Sequence, residues 1–499
     1  MELAGSSAVT LARMLRAKEV SAAELLTAHL DRIERLDPAL NAVVTLAADQ
    51  ARAAAEAADK AAANGEFRGP LHGLPIAIKD TADTAGIRTT YGSPIMADNV
   101  PVRDAAYVAS LKRAGAIVIG KTNTPEFAVG SQTFNPVFGV TRNPYDISRT
   151  PGGSSGGAAA AVAARLVPFA DGSDLAASVR NPAAFCNVVG LRTTPGLVPP
   201  NDGDDPFDPL SVVGPIARTP ADAALLLAGM CGRDPARPLA RPDRPADFLD
   251  LRPADPRGLR IAWSTDLGGL AVEPAVTEAL AGARTALEEM GCEVVEAEPD
   301  LAAADEVFQV LRALNMVRLA GLPRGRLKDT LVWNIDKGLA LGAEEIAAAR
   351  AGRTEIINRM RAFLAGRRDD GERERRDAAG FDLLALPTSQ VAPFPVEREW
   401  VTEIAGEPQH TYIDWMRTCS RITVTAHPAV SVPGGFTAGG LPVGLQLVGP
   451  YGADRWLLRV AQAVTEATGH ADVRPAGLAG LEEERHWQKK RMANEETEG

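Results

Sequence analysis

The chain has 499 residues, of which 45% are hydrophobic and 23% are charged. This composition is typical of a soluble globular protein with enough apolar residues for a large core. With 53 Lys and Arg residues against 64 Asp and Glu residues, the formal net charge is −11, which disfavours nucleic-acid binding because phosphate backbones are also negative. Apolar runs are too short to span a membrane, and the best of them, residues 158–164, stops at Arg165.

The cysteines and histidines exclude several kinds of site. The four cysteines are scattered, without a Cys-x-x-Cys pair, and are therefore expected to be free thiols in a reducing compartment. Residues 1–20 lack the apolar stretch of a signal peptide, so we expect a cytoplasmic protein. The six histidines never fall at the spacing of a zinc motif. The sequence thus predicts no metal and no other cofactor.

The first predicted elements are two helices. Ser21 and Glu24 can form a capping box, and leucines and an isoleucine follow at helical spacing. Because the residue before a proline avoids the helical conformation, this helix is predicted to end at Asp37, before Pro38. An Ala-rich segment predicts the second helix over residues 44–63.

Short apolar runs then alternate with helical patterns along the rest of the chain. The predicted strands are residues 74–78, 116–119, 259–263, 293–295, 383–386 and 442–448. The predicted helices are residues 105–113, 276–290, several segments within 305–366, and a helix from Asp454 to Thr468 that ends at Gly469. Residues 259–295 resemble a βαβ unit, and the proline-rich residues 231–258 are predicted to be a surface connection. The alternation predicts an α/β protein around one large sheet.

Two motif matches are rejected on local grounds. Residues 115–122 fit a phosphate-loop pattern, but the middle of the match is Ala-Ile-Val-Ile, which favours a buried strand over a curled loop. Residues 152–156 fit the Gly-x-Ser-x-Gly nucleophile elbow, yet a polar segment with two prolines precedes them where an apolar strand is required. An α/β-hydrolase esterase using Ser154, with His427 or His470 as its histidine, remains an alternative.

Three segments carry the chemistry that the sequence indicates. They are a lysine at the end of an apolar run (residues 73–80), a Gly-Gly-Ser-Ser-Gly-Gly stretch (152–157) and a Gly-Ser-Asp-Leu-Ala-Ala-Ser-Val-Arg-Asn-Pro stretch (172–182). With residues 120–126, 190–195, 386–388 and 440–446, and in this order, they closely resemble the amidase signature family. The resemblance covers most of residues 20–200 and 380–470.

The resemblance implies the family's fold, a large mixed β-sheet core flanked by helices in an α/β/α arrangement. It implies a single amidase domain over residues 1–475, followed by a charged tail at 476–499. The parts of that domain are expected to be the N-terminal helices (1–65), the signature core (70–200), a variable region that shapes substrate choice (200–380) and the C-terminal part of the core (380–475).

The resemblance also implies a catalytic triad. The family's lysine falls on Lys79, its bridging serine, which follows a cis peptide bond, falls on Ser154, and its nucleophile falls on Ser178, at the family's interval of 178 − 154 = 24. A serine hydroxyl needs a nearby base, and a lysine with an ordinary pKa of about 10.4 can be that base only if burial favours its neutral form. The apolar run before Lys79 is compatible with such burial.

The turn before the nucleophile is expected to hold the oxyanion. The donors would be the main-chain N–H groups of Leu175, Ala176, Ala177 and Ser178. Ala176 and Ala177 depart from the Gly-Gly that is usual in the family, and we predict that their methyl groups reshape the acyl pocket without disabling the site.

Three further residues are expected to support the triad. Asp174 and Arg180 flank the nucleophile and are predicted to pair and fix the turn, the alternative being a surface pair of little consequence. Ser155 is expected to lie behind the triad instead of taking part in catalysis.

The expected reaction is hydrolysis of a carboxylic amide C–N bond in a small molecule, with an apolar or aryl acyl-amide favoured and esters or carbamates open. Met316, Leu322, Leu331 and Trp333 could form an apolar wall over the site or belong to the ordinary core. The alternative class is the glutaminase subunit of a tRNA-dependent amidotransferase, which works only with partner chains. A homodimer is compatible with the sequence, although no particular residue points to one.

Overall fold

A computed structural model describes residues 3–199, 207, 210–232, 238–364 and 380–480. The strands are β1 Val43–Leu46, β2 Pro75–Lys79, β3 Ile117–Thr122, β4 Phe134–Asn135, β5 Gly139–Val140, β6 Phe169–Asp174, β7 Val189–Arg192, β8 Val212–Ala217, β9 Arg260–Trp263, β10 Glu293–Glu296, β11 Leu383–Pro387, β12 Glu403–Ile404, β13 Glu407–Pro408, β14 Ala429–Phe436 and β15 Pro442–Val448. The helices are α1 Ala8–Arg16, α2 Ala22–Leu40, α3 Ala48–Ala63, α4 Ala106–Arg113, α5 Gly156–Ala163, α6 Arg180–Phe185, α7 Pro220–Met230, α8 Pro274–Glu289, α9 Ala304–Met316, α10 Asp329–Leu339, α11 Ala343–Phe363, α12 Arg417–Val424 and α13 Asp454–Thr468.

Within these ranges, eleven strands form one sheet in the order β1-β3-β2-β6-β8-β7-β14-β15-β11-β9-β10. Strand β2 pairs in parallel with both β3 and β6, whereas β6 pairs antiparallel with β8. Strands β9 and β10, joined through α8, are parallel, which confirms the predicted βαβ unit. The predicted α/β fold with a large mixed sheet flanked by helices is confirmed.

Strands β2 and β3 and the neighbouring helix α5 consist of buried residues. All five residues of β2 are buried, as are all six of β3. Helix α5 is buried along its whole length, and its glycines permit close packing. A Cβ on Gly156 would lie 2.2 Å from Thr133 Oγ1, and a Cβ on Gly157 would lie 2.3 Å from Asn123 N. The Gly- and Ala-rich sequence after Ser155 therefore brings this helix against the strands that carry the site.

Several predicted elements are confirmed with small differences in their bounds. The capping box of Ser21 and Glu24 is present, and Gly469 ends α13 with a φ of 68°. The rejected phosphate-loop match lies on strand β3, as predicted. Asp454 is the first residue of α13, and its carboxylate accepts hydrogen bonds from the amide and hydroxyl of Thr194. The part of the predicted charged tail from residue 481 onward lies outside the described residues.

Two predictions about the N-terminal helices are wrong. Helix α2 continues through Pro38 to Leu40, because the Asp37 carboxylate accepts from the amide of Ala42 beyond the helix end and fixes the last turn. Residues 43–46 are not the start of the second helix but strand β1, which pairs antiparallel with β3. The β-branched residues of this segment favour the extended conformation once a sheet edge is available.

The helices of the variable region pack on one another. Helix α9 contacts α10, α11 and α12, and their apolar residues form a second core cluster with Ala176 and Phe185 of the signature region. None of the helices in the described ranges is both long and apolar enough to cross a membrane.

Candidate active site

Lys79 ends strand β2 and is 1% exposed. Its Nζ donates to Ser154 Oγ at 2.7 Å, to Ser155 Oγ at 2.9 Å and to Ser173 Oγ at 3.0 Å. Burial lowers the pKa of Lys79 to about 7, although Asp171 and Asp174 act in the opposite direction. The lysine is therefore largely neutral in mildly alkaline solution and can accept a proton from a bound hydroxyl.

Ser154 follows a cis peptide bond, Gly153-Ser154. Hydrogen bonds hold the carbonyl groups before it: Ser131 Oγ donates to Gly153 O, and Thr133 Oγ1 donates to Gly152 O, both at 2.8 Å. Ser154 is fully buried, and its hydroxyl faces Lys79. Hydrogen bonds to Gly152 O and Gly153 O thus fix the turn that carries Ser154. No strand leads directly into this turn, whereas a nucleophile elbow requires a strand before its serine.

Ser178 lies in the turn between β6 and α6 and is 8% exposed. Ser155 N donates to Ser178 O at 3.1 Å, which ties the two serine-bearing turns together. Across the described part of the chain, the amides of Leu175, Ala176, Ala177 and Ser178 donate to no protein acceptor. Four adjacent N–H groups without protein partners form a place where a developing negative charge could be bound.

A buried ion cluster fixes this turn from behind. The Asp174 carboxylate accepts from Arg180 Nε and Nη2, both at 3.0 Å, and is 3.4 Å from Arg192 Nη1. All three side chains are fully buried. Burial would raise the pKa of Asp174, but Arg180 and Arg192 outweigh it and lower the pKa to about 2. The predicted Asp174–Arg180 pair is present, and the alternative of a surface pair is wrong.

We expect Asp174→Ala to destabilise the fold by about 3–5 kcal/mol, because two buried guanidinium groups lose their counter-charge. The pKa of Asp174 is lower in the folded state than its ordinary value of 3.8, so the carboxylate stabilises the protein above that pH and this stabilisation is lost as the pH falls through about 2. Urea unfolding at pH 7 measures the effect. Asp49→Ala, which removes a carboxylate from the exposed Asp49–Arg52 pair, is the control and should change stability little. Equal losses in the two variants would contradict the prediction.

A cavity of about 230 Å³ opens in front of Ser154 and Ser178. Its lining includes Ser154, Ser178 and Ser173 together with Ala176. Of the two alanines that replace the family's glycines, only Ala176 is among the described lining residues. The predicted effect on the acyl pocket is therefore assigned to Ala176.

Apolar and polar side chains from the signature core, the variable region and the C-terminal part of the chain complete the cavity. Of the four residues considered for an apolar wall, Met316 lines it, whereas Leu331 is in the core, and Leu322 and Trp333 pack against that core. The other apolar lining residues include Phe127, Leu319 and Met416, and the polar ones include Asp83, Tyr91, Arg312 and Tyr412.

The described residues give the esterase alternative no histidine at the cavity, because neither His427 nor His470 lines it. His427 is buried, with Nδ1 2.8 Å from Thr425 O. A metal centre has no support among the described residues either, since no group of three histidine, cysteine or acidic side chains lies close enough to hold an ion.

Sequence reasoning missed three residues that contact the site. Ser173 binds Lys79 directly, and Arg192 is the second partner of Asp174. Asp171 accepts from Lys79 N at 2.8 Å and from the Tyr107 hydroxyl at 2.6 Å, which anchors the end of β2. A signal for two of them was present, since Ser173 lies within the 172–182 stretch and Arg192 within the 190–195 segment. Asp171 lies outside both segments.

Comparisons with known proteins agree with this architecture. The family model described as Amidase matches residues 24–458. An acylamidase of Rhodococcus erythropolis is 34% identical over 477 residues, which cover 94% of this chain and 97% of that protein. A glutamyl-tRNA(Gln) amidotransferase subunit of Moorella thermoacetica is 37% identical over 494 residues, which cover 95% of this chain and 99% of that protein.

Among solved structures, a bacterial aryl acylamidase of the amidase signature family superposes with a TM-score of 0.85 at 28% identity, and the match covers 94% of this chain and 99% of that one. The family model spans most of the sequence, and the relatives match over nearly their full lengths. The chain therefore belongs to the amidase signature family and is an amide-hydrolysing enzyme.

Proposed function

We propose that the chain hydrolyses a carboxylic amide through an acyl-enzyme on Ser178, with Ser154 as proton relay and Lys79 as base. The observation that carries the proposal is the contact between Lys79 Nζ and Ser154 Oγ at 2.7 Å, made by a fully buried lysine whose pKa is lowered to about 7. A neutral amine at this position draws a proton from the Ser154 hydroxyl, which in turn draws one from Ser178.

The reaction then proceeds in two stages. Ser178 Oγ attacks the amide carbon while its proton moves to Ser154 and that of Ser154 moves to Lys79. The oxyanion lies against the free amides of residues 175–178, where each preorganised donor contributes about 2.7–4 kcal/mol. The protonated relay gives a proton to the leaving amine as the C–N bond breaks. Water attacks the acyl-enzyme by the same relay, and the carboxylic acid leaves.

The substrate that fits best is a small amide with an apolar or aryl part. Phe127, Met316, Leu319 and Met416 line the cavity, and a cavity of this size accepts a single aromatic ring with substituents. The match to a bacterial aryl acylamidase supports the same substrate class. An ester or a carbamate would enter the same relay, because the attacked carbon is again a carbonyl carbon.

Ala176→Gly tests how the acyl side of this pocket is shaped. Removing the methyl group beside the oxyanion amides should favour larger acyl groups, and we expect the kcat/KM ratio of benzoyl to acetyl anilides to rise about tenfold. Ala177→Gly is the matched control, because Ala177 is 1% exposed and is not among the described lining residues. An unchanged ratio in Ala176→Gly, or an equal change in both variants, would contradict the assignment.

The second candidate function is that of an amidotransferase glutaminase subunit, which the 37% identity to the Moorella thermoacetica protein favours. The experiment that separates the two functions uses the purified chain alone with anilides, aliphatic amides, glutamine, p-nitrophenyl esters and an aryl carbamate. Turnover of anilides by the isolated chain is the result expected for a free-standing amidase. Hydrolysis of glutamine alone, and only after addition of partner subunits, would support the subunit instead. Residence in the cytoplasm and assembly as a homodimer remain predictions.

A further inference from the structure

Arg312 is a buried cation in the wall of the cavity. It lies on helix α9, is 4% exposed and lines the cavity beside Tyr412. Throughout the described part of the chain, no carboxylate lies within ion-pair distance of its guanidinium group. Other buried arginines do have one, since Arg180 and Arg192 contact Asp174 and Arg421 contacts Asp305. A buried charge is costly without a counter-charge, so Arg312 requires an explanation.

The hydrogen bonds of Arg312 leave several donors unused. Nη1 donates to Asn334 Oδ1, and Nη2 donates to the Tyr412 hydroxyl. A guanidinium has five N–H groups, so about three of them have no acceptor among the described residues. The Tyr412 oxygen also accepts from Asn334 Nδ2 at 2.5 Å. Because both of its acceptor positions are then occupied, its own O–H is left to donate elsewhere.

The charges near these donors favour an anion. Burial lowers the pKa of Arg312 to about 9, and the group remains cationic at neutral pH. Lys328, a half-buried cation, lies near enough for Arg312 to contribute to lowering its pKa, after burial itself, whereas Glu399 and Glu126 act on it in the opposite direction. Asp83 is the only carboxylate among the described lining residues, and it already accepts from the Tyr91 hydroxyl at 2.6 Å. Among the described residues, the Arg312 side of the cavity therefore has unused donors and a cation that no carboxylate of the lining neutralises.

A purely structural role explains these contacts less well. Arg312 does join α9 to Asn334 on α10 and to Tyr412. A neutral donor would make the same two hydrogen bonds without the desolvation of a full charge. The guanidinium also lies 5.1 Å from the centroid of the Tyr412 ring, a cation–π contact that offsets only part of that cost. Arg312 and Tyr412, whose remaining donors have no acceptor among the described residues, both line the cavity that also contains Ser178.

We propose that Arg312 and Tyr412 bind a carboxylate carried by the substrate itself. The substrate class is then an amide with an apolar or aryl body and one carboxylate on its acyl or its amine part. This rests on the proposed function, because the amide is cleaved at Ser178. The planar guanidinium fork suits a carboxylate better than a lysine would. The apolar lining residues hold the body between the two ends.

The test compares carboxylate substrates with neutral partners of similar size. The pairs are succinyl-4-nitroanilide against pentanoyl-4-nitroanilide, and 4-acetamidobenzoate against 4-nitroacetanilide. Each pair is assayed with wild type, Arg312→Met, Arg312→Lys and Tyr412→Phe. For each protein, kcat/KM of the carboxylate substrate is divided by that of its neutral partner. Comparing this ratio between proteins removes the difference in intrinsic reactivity between the two substrates. Arg324→Met is the matched control, because Arg324 is an exposed arginine paired with Asp336 and is not among the described lining residues.

Arg312→Met is expected to lower kcat/KM for the carboxylate member of at least one pair by about 10- to 100-fold, the range for a lost hydrogen bond between charged groups. The neutral member should lose much less, so the ratio within the pair falls, and thermal unfolding shows that the variant is folded. Arg312→Lys should retain part of the preference, Tyr412→Phe should lose a smaller part, and Arg324→Met should keep the wild-type ratio. Ratios that are the same in wild type and Arg312→Met for both pairs would overturn the inference while leaving the proposed function intact.

A binding measurement keeps the two proposals separable. Calorimetry on Ser178→Ala gives the Kd of 4-acetamidobenzoate and of succinyl-4-nitroanilide, with and without Arg312→Met. A loss of affinity of about 10- to 100-fold in the double variant supports the carboxylate site even if turnover is absent. Equal affinity in both proteins, or no binding to either, overturns it. Turnover that persists in Ser178→Ala overturns the proposed nucleophile but not the carboxylate site.

Discussion

Ser178→Ala should lower kcat/KM for amide hydrolysis by roughly 10⁴- to 10⁶-fold. The hydroxyl that forms the acyl-enzyme is lost, whereas the oxyanion amides and the cavity stay in place. The alanine side chain fits the same space, and the turn is held by the buried Asp174–Arg180 pair and by the bond from Ser155 N to Ser178 O. We therefore expect a folded but inactive protein, checked by initial rates on an anilide and by thermal unfolding.

Ser211→Ala is the control for this substitution. Ser211 lines the same cavity, and its replacement removes a hydroxyl without touching the proposed relay, so activity should stay within about tenfold of wild type. If Ser178→Ala kept activity comparable to that of Ser211→Ala, another residue would be the nucleophile. The first residue to test would then be Ser154, which the esterase alternative requires.

The second large effect concerns Lys79 and the pH dependence of catalysis. Burial lowers the pKa of Lys79 to about 7, and only its neutral amine can act as base. Activity should therefore rise as the pH increases through about 7 and level off on the alkaline side, because the ammonium form that dominates at lower pH has no free electron pair. Lys79→Met should lower kcat/KM by about 10²- to 10⁴-fold at every pH. Initial rates from pH 6 to 10 measure both effects.

A second buried lysine provides the control for this profile. Burial lowers the pKa of Lys121 to about 8, and its Nζ donates to Ala82 O, Thr84 Oγ1 and Thr89 Oγ1. None of these partners is one of the three serines that Lys79 contacts, and Asp171 is a neighbour that acts on both lysines. A folded Lys121→Met should therefore keep a rising profile with a midpoint near that of wild type. A midpoint that moves in Lys121→Met, or a flat profile for wild type, would contradict the role given to Lys79.

The sequence was most informative where local pattern and burial coincide. The apolar run before Lys79 predicts a buried strand that ends at a lysine, and β2 is that strand. The family resemblance predicted a turn with a cis peptide bond at Ser154 and placed the proposed nucleophile 24 residues later, at Ser178. The rejection of the phosphate loop followed from β-branched residues and agrees with strand β3.

The features that could not be predicted from the sequence depend on contacts with residues outside their own local segment. The end of α2 depends on the Asp37 carboxylate meeting the amide of Ala42, and β1 is extended because β3 provides an edge. Arg312 and Tyr412 are a hundred residues apart in sequence. Their side chains meet only when α9 packs against the segment before α12, and helical periodicity does not reveal this contact.

Identification of the acylated residue distinguishes Ser178 from every other candidate nucleophile. The chain is mixed with a p-nitrophenyl ester under conditions of rapid acylation, quenched with acid, digested and examined by mass spectrometry. We expect an acyl group on Ser178, and none at any position in Ser178→Ala. An acyl group on Ser154, or hydrolysis of the ester with no covalent adduct on any residue of the quenched protein, would contradict it.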